Sequence, residues 1–390
     1  LKILHVTRRD IPNNLFTDPS ESRILPNSRF DDHWRAQAVI DLHSLYHNIR
    51  QVRLKAPNSR LMAVVKADAY GHGLENICTA AAAQVDGFAV ATLQEGIICR
   101  TLQPEKPIIV LSEFWHAGQL RDFERCDMQP VVHTPSQVAC LAGYTGRPLS
   151  IWIKCDSGMN RLGISMESLK EVYETLLSRK TVRRIRIMSH LANADIPGDE
   201  FTHHQLGVFR GHSRFARCER SLANTAGVMR WPQTHFDWVR PGLMLYGVSP
   251  FGREPDARVP LKPVMQLKAR IISEKTVKRG QPVGYGGLYR TTRKTRVAMV
   301  GLGYGDGYPR VVDDRACVLV KHSRAPIIGR ISMDMITIDL TELGRVGIGD
   351  EVVLWGPGLP VEEVADWAGT IPYELLCKVT PRIPRTIRTE

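Results

Sequence analysis

Lys66 sits in the string Ala63-Val-Val-Lys66-Ala-Asp-Ala-Tyr70-Gly-His-Gly73, where an apolar, strand-like run breaks into a glycine-containing turn. A lysine at the mouth of a buried strand is a candidate Schiff-base former, because burial lowers its pKa and frees the amine as a nucleophile. The Tyr70 hydroxyl and the turn amides suit an anionic cofactor group. Further polar side chains follow later apolar runs. They are Lys154, Asp156 and Arg161 in one stretch, His190 in Ser-His-Leu-Ala-Asn, Asn224-Thr225, and Arg240-Pro-Gly242-Leu243. Taken singly, each reads more simply as a solvated loop residue, and His190 as a satisfied core histidine. Gathered at one place, they describe a site for an anionic, nitrogen-containing cofactor.

The elements that must position these groups alternate. Helical stretches at Leu42–Ala56, Leu74–Gln84, Gln94–Thr101, Ser168–Lys180 and Phe201–Ala216 separate short apolar runs. Those runs are Arg60–Lys66, Gly87–Thr92, Pro107–Ser112, Val131–His133, Leu149–Lys154, Arg184–Ser189, Ser221–Asn224 and Phe236–Arg240. Eight strand–helix units predict an α/β fold, a (β/α)8 TIM-like barrel, whose chemistry belongs at the C-terminal ends of the strands. No G-x-G-x-x-G follows the first strand, which argues against a doubly wound sheet. After about residue 262 the texture changes to short β-branched runs between glycine, proline and charged turns, predicting a mostly β domain over 263–390. The barrel is expected over 34–262, with Ala36–Ile40 assignable to either part. Residues 1–33 read as a disordered leader.

The chain has 390 residues, more than one core usually holds, with 43% hydrophobic and 24% charged residues and a formal net charge of +12. That charge is spread along the chain without a basic motif, which speaks against nucleic-acid binding. The eight cysteines form no C-x-x-C pair and read as reduced thiols of a cytoplasmic protein. No apolar run reaches the roughly 18 residues of a membrane span. Neither G-x-S-x-G nor H-E-x-x-H occurs, so serine-hydrolase and zinc-enzyme readings find no support.

In the second part, Pro282-Val-Gly-Tyr285-Gly-Gly, Gly303-Tyr304-Gly-Asp-Gly-Tyr308 and Ser332-Met333-Asp334 stand out. The glycines around Tyr304 match neither the dinucleotide fingerprint nor the P-loop. Taken bare, Tyr285 reads as a packed hairpin aromatic.

These strings, with those of the barrel, resemble the blocks of the alanine racemase family over roughly residues 34 to 390. The resemblance implies a pyridoxal 5'-phosphate (PLP) enzyme that interconverts L- and D-alanine and supplies D-alanine for peptidoglycan. It makes Lys66 the lysine that carries PLP, and Tyr70, Thr225, Gly242, Leu243 and Tyr373 its phosphate ligands. Family members often have serine where Thr225 stands, and threonine keeps the hydroxyl. Arg240 would face the pyridine nitrogen, supported by His190 and Asn224. A protonated arginine there leaves the ring nitrogen unprotonated and the ring a weaker electron sink, which favours prompt reprotonation over transamination. Arg161 would contact the substrate carboxylate and the cofactor's phenolic oxygen, with Met333 and Asp334 also on the substrate. Lys154 matches a lysine that relatives often carry as a carbamate. Inversion requires a base on each face of the α-carbon. By resemblance these are Lys66 for D-alanine and Tyr285, from the partner subunit of a head-to-tail homodimer, for L-alanine. The phenol needs a cationic hydrogen-bond network such as His190 and Arg240 to approach neutrality.

Three rivals remain at this level. A broader racemase of serine, lysine or arginine is disfavoured by Tyr304 and Tyr373 at the expected entrance. Decarboxylases on a similar plan place a glutamate at the pyridine nitrogen, against Arg240. A non-catalytic PLP carrier lacks the second domain.

Overall fold

Residues 34–389, apart from 212–214, 216 and 253–258, are described by the computed structural model; the expected leader, 1–33, lies outside the described residues. Eight parallel strands close into a barrel in chain order. They are β2 (Arg60–Val64), β3 (Gly87–Val90), β4 (Ile108–Val110), β5 (Gln129–Val132), β6 (Leu149–Lys154), β7 (Val182–Met188), β8 (Arg220–Ser221) and β9 (Trp238–Val239). Closure is direct, with Arg60 opposite Trp238 and Leu61 opposite Val239. A barrel strand is covered by side chains inside and by helices outside, so it reads as a continuous apolar run: Leu149 to Ile153 are all buried. Several strands end earlier than their apolar runs, β2 at Val64 and β3 at Val90. Helix Phe201–Arg210 ends at Gly211, short of the expected Ala216, and part of the remainder is undescribed.

The strand preceding β2, β1 (Ala36–Asp41), does not enter the barrel. It lies between β10 (Met265–Val277), to which it is antiparallel, and a final parallel strand whose Arg385 stands opposite Ala38. Along Met265–Ile271 every second residue is buried, the pattern of a sheet with one dry face. The hairpin strands β11 (Pro282–Val283) and β12 (Tyr289–Arg290) project beside β13 (Thr295–Val300). β14 (Cys317–Val320), β15 (Ser323–Pro326), β16 (Ile336–Asp339), β17 (Glu351–Trp355) and β18 (Arg385–Arg388) complete the sheet, in the order β15-β14-β17-β10-β1-β18, with β13 paired to β10 and β16 paired to β13. Two helices missing from the sequence reading, Val361–Trp367 and Pro372–Lys378, interrupt this β region. In the run Met333–Leu340, one of the short β-rich segments read as strand, pairing starts only at Ile336, because Ser332 N–H bonds the Met335 carbonyl and closes a turn. Among the described residues no helix is long and apolar enough to cross a membrane.

Between β2 and helix Leu74–Ala81 the chain makes a left-handed turn: Ala67, Asp68, Ala69 and Tyr70 have φ of 53°, 54°, 52° and 54°. This conformation costs an L-residue roughly 1–2 kcal/mol, so neighbours must impose it. Ala69 N–H reaches the Val65 carbonyl at 2.9 Å, and Asp68 accepts from Leu74 N–H at 2.7 Å. Ala67 N–H donates to Glu95 Oε1 at 2.6 Å, and Arg385 Nε donates to the Gly71 carbonyl at 3.1 Å. A Cβ on Gly71 (φ +77°) would lie 2.1 Å from the Leu376 carbonyl oxygen, so helix Pro372–Lys378 rests directly on the turn. Gly71→Ala is expected to lower stability by about 2–3 kcal/mol, measured by urea unfolding. An unchanged midpoint would show that the helix does not brace the turn.

Candidate active site

A cavity of about 550 Å³ opens at the C-terminal ends of the barrel strands. All the expected barrel residues but one reach it from a strand end; Asp156 does not line it and instead accepts from Gly158 and Asn160 N–H within its own loop. Lys66 follows β2, Lys154 ends β6 with Arg161 in the loop beyond, and His190 follows β7. Asn224 and Thr225 follow β8, and Arg240, Gly242 and Leu243 follow β9. Tyr70 from the left-handed turn and Tyr373, with Ile371 and Cys377, from the C-terminal region complete the wall.

Charge governs this cavity. Lys66 is drawn below its ordinary pKa by burial and then by the Arg161 guanidinium. Lys154 falls to about 8, through burial first and then Arg240, Arg161 and Lys66. Burial brings Arg240 down to about 10, so it still carries its charge at neutral pH. His190 lies well below the usual imidazole range, because burial and then Arg240, Lys154, Arg161 and Lys66 all oppose a further cation. Of the expected pair His190 and Arg240, it is Arg240 that supplies the charge.

Arg240 owes its orientation to partners the sequence reading overlooked. Its Nη1 donates to the Ser221 hydroxyl at 2.5 Å, and its Nη2 donates to the carbonyls of Ser189 at 2.5 Å and Leu222 at 3.4 Å. Asn224 instead caps helix Thr225–Arg230, accepting from Gly227 N–H at 3.0 Å and donating to the Leu191 carbonyl at 3.2 Å. The Thr225 hydroxyl accepts from Gly242 N–H at 3.1 Å and more distantly from Met244 N–H at 3.4 Å. Tyr70 packs on Tyr246 and Tyr373 with ring centroids 4.8 and 6.1 Å apart, and its Oη would lie 2.4 Å from a Cβ at Gly242. Burial raises the phenol pKa of Tyr70 and pushes Tyr373 up to about 12, so both stay O–H donors facing the cavity. Glu95, also overlooked, closes the capping box Thr92-x-x-Glu95 while holding the Lys66 turn through Ala67 N–H. Its sequence signal was that capping pattern.

Three expected residues stand apart from this cavity. Tyr285 occupies the turn between β11 and β12 and is 71% exposed, so it is no packed hairpin aromatic. Met333, 53% exposed, and Asp334 lie in the turn before β16.

The family model "Alanine racemase, N-terminal domain" matches residues 40–250, and "Alanine racemase, C-terminal domain" matches 264–387. The chain belongs to the alanine racemase family. It is 42% identical over 350 residues to the alanine racemase of Vibrio vulnificus strain CMCP6, covering 89% of this chain and 98% of that one. Among solved structures, the biosynthetic alanine racemase from Pseudomonas aeruginosa superposes with a TM-score of 0.87 at 40% identity, over 91% of this chain and all of the other (100%). An alanine racemase from Bartonella henselae with covalently bound pyridoxal phosphate gives 0.84 at 31% identity, over 91% and 100% of the two chains.

His72 gives the site's pH dependence a sign. It is fully buried, its Nδ1–H donates to the Tyr70 carbonyl at 2.9 Å and the Ala69 carbonyl at 3.1 Å, and its Nε2 has no partner among the described residues. Burial holds its pKa at about 4, below the unfolded value of 6.5. The unfolded chain therefore binds more protons between these values, and stability present above 6.5 is lost as pH falls toward 4. Wild type is expected to lose roughly 3 kcal/mol more than His72→Asn across that window, as read by urea unfolding at each pH. Parallel pH dependences would exclude His72 as the group responsible.

Proposed function

We propose that this isomerase is a PLP-dependent, cytoplasmic alanine racemase, working as a head-to-tail homodimer with composite sites and supplying D-alanine for peptidoglycan. The proposed domains are the barrel over 34–262 and the β domain over 263–390, whose sheet takes in the first strand. The carrying observation is the convergence of Lys66, Lys154, Arg161 and Arg240 on one cavity, with Lys66 depressed by burial. An anionic ligand relieves such a cluster, and the cavity volume lies within the range of cofactor sites.

The residues fit PLP. Tyr70, Tyr373 and Thr225 offer hydroxyls, and Gly242 leaves backbone where any Cβ would strike Tyr70. Lys66 would hold the cofactor covalently, Arg161 would meet its phenolic oxygen and Arg240 its ring nitrogen. When bound, PLP withdraws electrons from the α-carbon of alanine and makes its proton removable.

The protein's own residues then move that proton. Lys66, whose pKa burial and Arg161 lower, takes the α-proton of D-alanine on one face and returns one there in the reverse direction. Tyr285 of the partner subunit does the same for L-alanine on the other face. Its exposure within a single chain supports this reading, because a base contributed to a neighbour must project from its own fold. Arg161 and the partner's Met333 and Asp334 would hold the substrate carboxylate. Arg240, locked by Ser221 and Ser189, keeps its charge and so favours reprotonation over transamination.

Incubation with L-alanine, and separately with L-serine and L-arginine, followed by chiral chromatography, is expected to yield D-alanine predominantly. A faster D-serine or D-arginine would replace the alanine assignment with the broader racemase. Lys66→Ala is expected to abolish turnover and the bound-cofactor absorbance together. Tyr285→Phe is expected to keep the absorbance and lose turnover by ~10²–10⁴-fold, and full activity there would defeat the two-base assignment.

Lys154 is proposed to react with CO₂ as its neutral amine, forming the N–C bond of a carbamate and releasing one proton to solvent, which converts a cation beside Arg161 into a carboxylate–guanidinium pair. With a pKa of about 8, carbamylation should rise with pH up to about 8 and then level off. Intact mass under neutral conditions should show the CO₂ adduct, and acid should remove it. Unmodified protein under both conditions would refute the carbamate.

A further inference from the structure

Away from the cavity, Asp306 is a buried carboxylate of the C-terminal region that holds several donors at once. Its side chain is fully buried (0% exposed). Arg35 grips it with both guanidinium nitrogens, Nη2 to Oδ1 at 2.8 Å and Nη1 to Oδ2 at 3.2 Å. Gly303 N–H donates to Oδ2 at 3.0 Å, and Arg382 Nε lies 3.4 Å from Oδ1. A buried charge with this many donors is stable only while they remain in place, so the carboxylate dictates where they sit.

Both arginines extend the network to the turn that carries Met333 and Asp334. Arg382 Nη2 donates to Asp334 Oδ1 at 2.6 Å, and Arg35 Nη1 lies 3.3 Å from the Asp334 carbonyl and 2.8 Å from that of Gly301. Backbone bonds lock the two segments together: Tyr304 N–H to the Ser332 carbonyl at 3.1 Å and Gly305 N–H to the Met333 carbonyl at 2.8 Å. The fit is tight, since a Cβ on Gly303 would lie 2.3 Å from the Ser332 oxygen. Yet the side chains this network presents, Tyr304 and Met333, are exposed on their own chain. A buried, doubly clamped carboxylate supporting two exposed side chains is an arrangement for holding them still for something outside the chain.

We infer that Asp306 is a positioning residue that, through Arg35 and Arg382, fixes Tyr304 and Met333 for the active site of the partner subunit. This rests on the composite-site reading above. Its consequence is unusual: a change at Asp306 damages the other protomer's site and leaves its own barrel intact.

Asp306→Asn keeps the volume and removes the charge. The homodimer is expected to retain bound-cofactor absorbance, raise KM for alanine about tenfold and change kcat less, since a placement error near ~1 Å costs up to about 10²-fold. Unchanged KM would overturn the inference. The decisive measurement uses hybrid dimers, purified by two different tags, that pair Asp306→Asn with Lys66→Ala. One hybrid site then carries both defects, and the other combines an intact barrel with intact loops. Wild-type KM with about half the wild-type turnover per dimer is expected. A control hybrid of Tyr285→Phe with Lys66→Ala tests the underlying reading alone. If the control regains activity and the Asp306→Asn hybrid does not recover wild-type KM, the positioning role falls and the composite site stands. If the control also fails, the composite site falls and takes this inference with it. Should Asp306→Asn not fold, Arg382→Met, which cuts the link to Asp334 from a half-exposed position, replaces it in the same hybrid with the same expected and overturning results.

Discussion

The structure depends on holding several cations around one cavity without a matching set of carboxylates. Two like charges about 4 Å apart repel by roughly 4 kcal/mol at an effective dielectric near 20, so such a cluster persists only if something else fixes its members. Arg240 is fixed by a hydroxyl and main-chain carbonyls, which offer partial negative charge without neutralising it. The burden then falls on the groups able to give up a proton. Lys154 and Lys66 are pulled down and His190 stays neutral, while Arg240, buried in the same cavity wall, keeps its charge. A lysine whose ammonium form is disfavoured by its surroundings follows directly, and so does an affinity for anions.

Placing that amine is a problem of backbone geometry. The left-handed turn after β2 directs Lys66 and Tyr70 to the same cavity, and it survives because β2, helix Leu93–Leu102 and helix Pro372–Lys378 all hold it. Glu95 serves as helix cap and as acceptor for Ala67 N–H, which couples the barrel helix after β3 to the Lys66 turn. Strain of this kind is tolerated where surrounding structure over-determines it.

Much of this was legible in the sequence. The barrel strands read clearly because Leu149–Ile153 and its counterparts are buried on both faces, and the polar residues at their ends were recognisable as one group. The left-handed turn was not legible, since Lys-Ala-Asp-Ala-Tyr is rich in residues compatible with an ordinary helix and only tertiary contacts reverse its hand. Ser221 was invisible for a similar reason: a serine in a short strand gives no sign that it will meet an arginine nineteen positions on. Helices Val361–Trp367 and Pro372–Lys378 were hidden among β-rich runs, although Pro372 at the first helical turn is a start signal. Tyr285 and Met333 carried meaning only through resemblance, because their burial within one chain is slight.

That last contrast separates two ways of making a site precise. The barrel groups are ordered by burial, each strand end fixed by its neighbours in the closed sheet. Tyr304 and Met333 cannot be ordered that way while remaining available to another molecule. Order has to come from beneath, from a buried ionic centre whose partners are the backbone and side chains of the exposed segments. Asp306 supplies it, joining Arg35 just before β1, the Gly303 turn, and Arg382 just before β18. Since β1 and β18 are adjacent strands of the sheet, the carboxylate also ties the two ends of the described chain to the surface they support. Burying a charge is costly, and here the cost is offset by donors that rigidify loops otherwise free to move.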